Sequence, residues 1–299
     1  MGGFLLCVAR RNQFYTLKFV NSAFYHHLYI LMNHKQLNLF SLCLLLLWVV
    51  NAMPAFSQAA KAKFHMLKVY HLKDQSQEGR LDTYLQQAYL PALHRAGISK
   101  VGVFKPAEAL ESSSPDSTTQ RVYVYIPLTS QDQFFTLEQT LAKDKQYAAA
   151  GKDYIDAPYN APLYNRFEVN LIEGFTGMPG MNVPKLKAAP QERIYELRSY
   201  ESATEKLYQN KVSQFNAGEI EIFDRLGFNA VFYGRVLAGC KMPNLLYMTT
   251  FENMAEREQH WKAFNEDPAW TKLRALPEYA HNVSKADIYL LHPTAYSDL

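Results

Sequence analysis

A chain of 299 residues, 48% hydrophobic and 20% charged, is long enough for about two packed domains and too apolar to be mostly disordered. Its formal charge of +3 gives no support for nucleic-acid binding: Arg10, Arg11, Lys18 and Lys35 all precede residue 58, where no acidic residue occurs, and the remainder carries 27 basic against 28 acidic residues.

Residues 32–57 have the three parts of a secretory signal. Asn33, His34 and Lys35 form a short positive opening, Leu42 to Val50 an apolar core, and Ala55-Phe56-Ser57 a small-residue ending. The apolar core is too short for a spanning helix, which needs about 20 residues, so no stable membrane insertion is expected once the signal is removed. The chain is expected to begin at Met32, to mature near Gln58 and to be exported, to a periplasm or to the outside. Residues 1–31 then read as a mis-assigned upstream extension. Of Cys7, Cys43 and Cys240, only Cys240 survives such processing, which leaves neither an internal disulfide nor a cysteine metal cluster. Cys240 itself falls in a hairpin loop.

From residue 61 the pattern is that of a folded unit over 64–173. Lys61 to Leu72 alternates as a strand, with Met66, Lys68 and Tyr70 on one face and Leu67, Val69 and His71 on the other. Glu78 to Ala96 has helical spacing and ends at Gly97, with Pro91 expected to bend it. Val101 to Phe104 and Val122 to Leu128 read as strands on either side of a Ser-rich loop at Glu111 to Gln120. Thr129 to Ala150 reads as one helix and Tyr164 to Ile172 as a strand. Residues 174–190, with Gly174, Gly177, Pro179, Gly180, Pro184 and Pro190, have linker composition.

A second unit over 191–294 repeats the order. Ile194 to Tyr200 is a strand, and Ser202-Ala203-Thr204-Glu205 reads as a capping box opening a helix that ends at Gly227. Val231 to Arg235 and Leu245 to Phe251 are strands, Asn253 to Phe264 a helix, and Asp267-Pro268 the cap of a further turn. Ser284 to Leu291 supplies the closing strand. The fold class is therefore α+β: two tandem ferredoxin-like units of β-α-β-β-α-β order, whose helix-free sheet faces pack on each other as an intramolecular dimeric α/β barrel.

The opening Ile194-Tyr195-Glu196-Leu197-Arg198-Ser199-Tyr200, the Tyr247 to Phe251 strand, and Arg257, Trp261, Phe264, Asp267, Pro268 and Trp270 resemble the NIPSNAP family, and the exported two-unit layout resembles its bacterial members. The first unit departs from that pattern, with Leu67-Lys68-Val69-Tyr70 at the equivalent strand and no tryptophan. The resemblance implies the dimeric α/β barrel fold and no settled chemistry.

Candidate functional residues follow from strand alternation. Glu196, Arg198 and Tyr200 share a face, Tyr233 and Arg235 share another, and Tyr247 joins them from the next strand. If these faces line the space between the sheets, they form a pocket for a planar or carboxylate-bearing molecule, with Arg198 and Arg235 close together. The competing structural reading makes Glu196 and Arg198 an ordinary ion pair and the tyrosines core. A lumen filled by apolar side chains would favour protein partners over a ligand. His260, one turn after Glu256, resembles histidines used by some enzymes and haem binders of the same superfamily. Trp261, Phe264 and Trp270 read as core that seats a helix on its sheet. No metal-ligand spacing, Gly-x-Ser-x-Gly elbow or phosphate loop is present, so neither metal nor cofactor is expected. The function expected is a small-ligand or partner-binding module, with a homodimer as one form of partner. The alternative is a cofactor-poor monooxygenase or isomerase, or a haem-binding protein.

Overall fold

The structure, a computed structural model, describes residues 63–107 and 120–299. The segments read from the sequence as an upstream extension and a signal, and residues 111–119 of the Ser-rich loop, lie outside the described residues. Among those described, no helix is long and apolar enough to cross a membrane.

Eight strands run β1 (Phe64–Leu72), β2 (Gly102–Pro106), β3 (Gln120–Leu128), β4 (Arg166–Gly174), β5 (Ile194–Glu201), β6 (Phe232–Ala238), β7 (Asn244–Phe251) and β8 (Lys285–Pro293). They close into a barrel in the order β1-β3-β2-β8-β5-β7-β6-β4. Each half is a four-stranded antiparallel sheet, β4-β1-β3-β2 and β8-β5-β7-β6. Two antiparallel seams join them: Phe104↔Pro293 to Pro106↔Leu291 between β2 and β8, and Leu171↔Ala238 to Gly174↔Gly234 between β4 and β6. The dimeric α/β barrel is thus closed within one chain, and neither half keeps the open sheet edge it would have alone.

Helices cover the outside. In the first half these are α1 (Gln75–Tyr84), α2 (Leu90–Arg95), α3 (Gln131–Ala142), α4 (Lys145–Ala150) and α5 (Lys152–Ile155). In the second they are α6 (Glu205–Gln214), α7 (Ile220–Arg225), α8 (Met254–Glu266) and α9 (Pro268–Arg274). A π-helical turn joins α1 to α2 at Leu85–Tyr89 and α6 to α7 at Phe215–Glu219. Ahead of Pro91 the ladder widens to this π turn, so the helix continues across the proline. The single helix expected over 129–150 is divided, because Asp144 accepts from the N–H groups of Gln146 and Tyr147 and starts α4 afresh. The α6 cap is Thr204, not Ser202: Thr204 Oγ1 accepts from Leu207 N at 3.2 Å, while Ser202 Oγ donates to the Asn282 carbonyl at 2.6 Å.

Three buried clusters result. Leu67, Val69, Phe104, Tyr125, Tyr195, Leu197, Phe232, Met248 and Leu291 fill the barrel interior. Tyr70, Leu81, Leu85, Tyr89, Val124 and Leu141 lie between the first sheet and its helices. Phe215, Phe223, Phe228, Tyr233, Tyr247, Phe251 and Phe264 do the same in the second half. The barrel interior is therefore a packed core, and at one mouth His71, Arg121, Glu168, Asn170, Lys241 and Tyr289 line a recess of about 60 Å³.

Candidate functional site

The strand alternation holds, but the polar face points the other way. Leu197 and Ser199 face inward on β5, whereas Glu196, Arg198 and Tyr200 face the helices of the second half. The expectation that these residues line the space between the sheets is corrected accordingly. That space is filled with apolar side chains, and the polar groups lie between sheet and helices, where α8 brings partners of its own.

Glu196 is fully buried on β5. Its carboxylate accepts from Arg198 Nε at 2.6 Å, Arg257 Nε at 2.7 Å, Arg257 Nη2 at 3.2 Å and Trp261 Nε1 at 2.8 Å. Arg257 and Trp261 stand four apart on α8 and so on one face of it. The Arg198 guanidinium also lies over the Trp261 ring, 3.6 Å from its centroid, and donates to Tyr200 Oη at 2.9 Å. Tyr200 Oη in turn is 2.8 Å from Tyr247 Oη, which is wholly buried and whose ionisation burial pushes far up. One carboxylate thus holds two guanidinium groups and an indole, with every direction of approach taken.

A second buried pair lies across the cleft. Lys211 of α6 donates to Glu219 Oε2 at 2.7 Å and to Gln214 Oε1 at 2.9 Å, and its ammonium lies 4.6 Å from the Phe215 ring centroid and 5.4 Å from that of Trp270. Residues eight apart sit more than two turns apart along an α-helix. The extra residue of the π turn rotates Glu219 back towards Lys211, with Gly218 taking a φ of 155° that a side chain would strain. Burial raises the Glu219 pKa above the ordinary carboxylate value, against the opposing pull of Lys211 and Arg198.

Between the two pairs is a cleft of about 370 Å³ lined by Arg198, Tyr200, Lys211, Glu219, Arg257, Trp261, Phe264, Asn265, Trp270 and Arg274. Four cations line it against one carboxylate, with Glu196 behind. Arg274 is exposed and has no hydrogen bond or ion pair among the described residues.

The other sequence candidates are not brought to this cleft. Tyr233 is buried beneath the helices with its hydroxyl unpaired. Arg235 does not approach Arg198. It lies on the β4–β6 seam, where its Nε donates to Glu173 at 2.6 Å directly across the strands. His260 packs on Phe228 and Phe251, with ring centroids 5.8 and 5.6 Å away. Its neighbour by spacing, Glu256, instead turns to accept from the Glu252 backbone N–H. Arg257, Lys211, Glu219 and Arg274 were not singled out as site residues by the sequence. The four-residue spacing of Arg257 and Trp261 was the available signal for the first. For Glu219 there was none, because the π turn that places it is not visible in an apolar pattern. At the barrel mouth Cys240 lies near Glu168, and burial followed by that carboxylate raises its thiol pKa, which makes it less reactive. Among the described residues, no group of three or more His, Cys, Asp or Glu side chains is placed to hold a metal.

A comparison with curated proteins gave no match. Among solved structures, a candidate monooxygenase of Fusobacterium nucleatum is similar over 77% of this chain and 91% of its own, at 9% identity and a TM-score of 0.49. A chlorite dismutase of Candidatus Nitrospira defluvii is similar over 79% and 93%, at 9% identity and a TM-score of 0.43. A NIPSNAP family protein of Agrobacterium tumefaciens is similar over 36% of this chain and 99% of its own, at 19% identity and a TM-score of 0.33. Residues 195–298, which carry Glu196, Arg198, Lys211, Glu219, Arg257 and Trp261, match the NIPSNAP family model.

Proposed function

We propose that the cleft of the second half binds a small, planar, carboxylate-bearing molecule. The observation that carries this reading is the gathering of four cations against two carboxylates beside four aromatic side chains, Tyr200, Trp261, Phe264 and Trp270. Guanidinium groups bind a carboxylate bidentately, and indole and phenol rings offer faces to a flat body. Holding Arg198 and Arg257 together leaves one positive charge over after Glu196 is counted, and Arg274 adds another at the rim. A second reading, a cofactor-poor enzyme, draws support from Tyr200, whose hydroxyl is fixed between Arg198 and Tyr247 at the cleft wall and can donate to a carbonyl.

Calorimetric titration with benzoate, cinnamate and their neutral amides tests the reading. The acids are expected to bind and the amides not. Arg274→Met is expected to weaken binding about tenfold, the scale of a lost charge-assisted hydrogen bond, with an unchanged Tm. A parent protein that binds none of the acids would overturn it. We also propose that the protein acts after export, from the sequence of residues 32–57. Expression from Met32 and N-terminal sequencing of the secreted form checks this, and a cytoplasmic product with an intact terminus would exclude it.

A further inference from the structure

The two carboxylates at the cleft differ in what remains free on them. Glu196 accepts four hydrogen bonds and is closed to any ligand. Glu219 lines the cleft, yet its only described donor is Lys211, on Oε2, which leaves Oε1 unengaged by any described group. It is 3% exposed, so a ligand seated in the cleft would be the group that meets it. Burial favours the protonated form of such a carboxylate while the cations around it oppose that form, and the same cations can hold the anion of a ligand that gives the proton up.

Resting on the binding reading above, we propose that the natural ligand is a planar acid bearing a phenolic or enolic hydroxyl, and that the cleft binds it with that hydroxyl ionised and its proton on Glu219. The O–H bond of the ligand breaks, the Glu219 Oε1–H bond forms, and the net charge of the complex does not change. The oxyanion produced is stabilised by Arg198, Arg257 and Lys211 in a partly desolvated site, where such contacts are stronger than in water. Lys211 faces Glu219 from α6, Arg198 from β5, Tyr247 from β7 and Tyr233 from β6, while Tyr200 of β5, Arg257 of α8 and Arg274 of α9 line the same cleft. All but the three tyrosines are cationic, and burial holds Tyr233 and Tyr247 protonated. The raised Glu219 pKa has the direction that proton acceptance requires.

The test uses two probes at pH 7, cinnamate and 4-hydroxycinnamate, the second a phenol that is protonated in free solution, as tyrosine is. Absorbance reports whether the bound hydroxycinnamate is phenol or phenolate, and calorimetry in buffers of different ionisation enthalpy counts protons exchanged with solvent. For the parent, a phenolate spectrum is expected with essentially no proton released, because Glu219 keeps it. For Glu219→Gln, which preserves an acceptor for Lys211 but cannot take the proton, a phenolate spectrum is expected with about one proton released per ligand bound. Bound hydroxycinnamate that remains a phenol, or a parent that releases a full proton, overturns this proposal while cinnamate binding leaves the cleft reading standing. Failure of both probes to bind overturns both.

Discussion

The two halves have the same plan and opposite contents. Phe64 and Ile194 open corresponding strands and Leu85 and Phe215 open corresponding π turns, so the halves run in step 130 residues apart. Met66 stands where Glu196 does, Lys68 for Arg198, Tyr70 for Tyr200, Leu81 for Lys211 and Tyr89 for Glu219. Counted from the caps of α3 and α8, Ser130 and Asn253, Phe134 stands for Arg257 and Glu138 for Trp261. In the first half the helix–sheet space is closed by stacked tyrosines, Tyr84 on Tyr154 at 3.8 Å and Tyr84 beside Tyr89 at 5.6 Å. The same framework is therefore a packed core on one side and a charged cleft on the other. The same plan is thus built with either filling.

The largest effect that this comparison forecasts concerns the independence of the halves. Both sheets bury their inner faces in one core and share two seams. Residues 193–299 expressed alone are expected to lose the monomeric fold and to be insoluble or to pair with a second copy, which gel filtration and light scattering would show. A monomeric fragment with a cooperative melt would break the comparison, since the second half would then be a domain in its own right.

Next in size is Glu196→Met, which imports the residue found at the first-half position. It leaves two buried guanidinium groups without their shared carboxylate, and breaking such a pair costs about 3 to 5 kcal/mol. At about 2–4 °C per kcal/mol for a body of this size, the Tm is expected to fall by roughly 10 °C. Adding Arg257→Phe, which copies Phe134, is expected to recover part of that loss by removing one stranded charge. If Glu196→Met alone is neutral, the cluster is not the structural hub that its hydrogen bonds describe.

How much of this could be read beforehand depends on which physical signal carried each feature. The element order and the β5 alternation were legible because strands and helices impose periods of two and about 3.6 on a sequence. Which face of β5 turned inward was not, since β5 is covered on both sides and the test of apolar-in against polar-out fails. Leu197 and Ser199 went inward while Glu196 and Arg198 went outward, because α8 supplies Arg257 and Trp261 there as partners for the charged pair. The Ser202 cap was misplaced by two residues because a hydroxyl satisfied by a distant carbonyl, Asn282, is invisible to local pattern. Glu219 depended on a π turn, and Arg274 on a helix end beyond the Asn253 to Phe264 helix that drew attention.

A smaller effect separates the halves by pH. Lys68 occupies the Arg198 position with its ammonium 4.2 Å from the Phe167 ring centroid and 5.1 Å from that of Tyr70. Burial pushes its pKa down from 10.5 to about 8, opposed by Glu138. The folded state then binds fewer protons than the unfolded state between these values, so this residue's contribution to stability rises with pH through that window, by about 2 kcal/mol between pH 8 and 10. Arg198 remains charged throughout and adds no such dependence. Chemical denaturation at pH 8, 9 and 10 is expected to show the rise in the parent and its loss in Lys68→Met. A parent curve that falls monotonically over that range, with an identical Lys68→Met curve, would show that Lys68 is solvated instead of caged.

The smallest effect is the sharpest discriminator between a filled half and an open one. Asp74 caps α1 by accepting from Gln77 N at 3.0 Å, and Thr204 caps α6 by accepting from Leu207 N at 3.2 Å. Each cap is worth about 1 kcal/mol, so Asp74→Ala and Thr204→Ala are expected to lower the Tm similarly, by about 2–4 °C. What the two helices carry differs: α1 presents Leu81 and Tyr84 to a packed core, whereas α6 presents Lys211 to the cleft. Fraying of α6 loosens the helix that sets Lys211 against Glu219, so Thr204→Ala is expected to weaken cinnamate binding two- to fivefold, the equivalent of about 0.4–1 kcal/mol of that cap energy. Asp74→Ala is expected to leave binding within error. Equal losses of affinity in both variants would mean that the halves respond as one body and that the cleft is not a property of the second half alone.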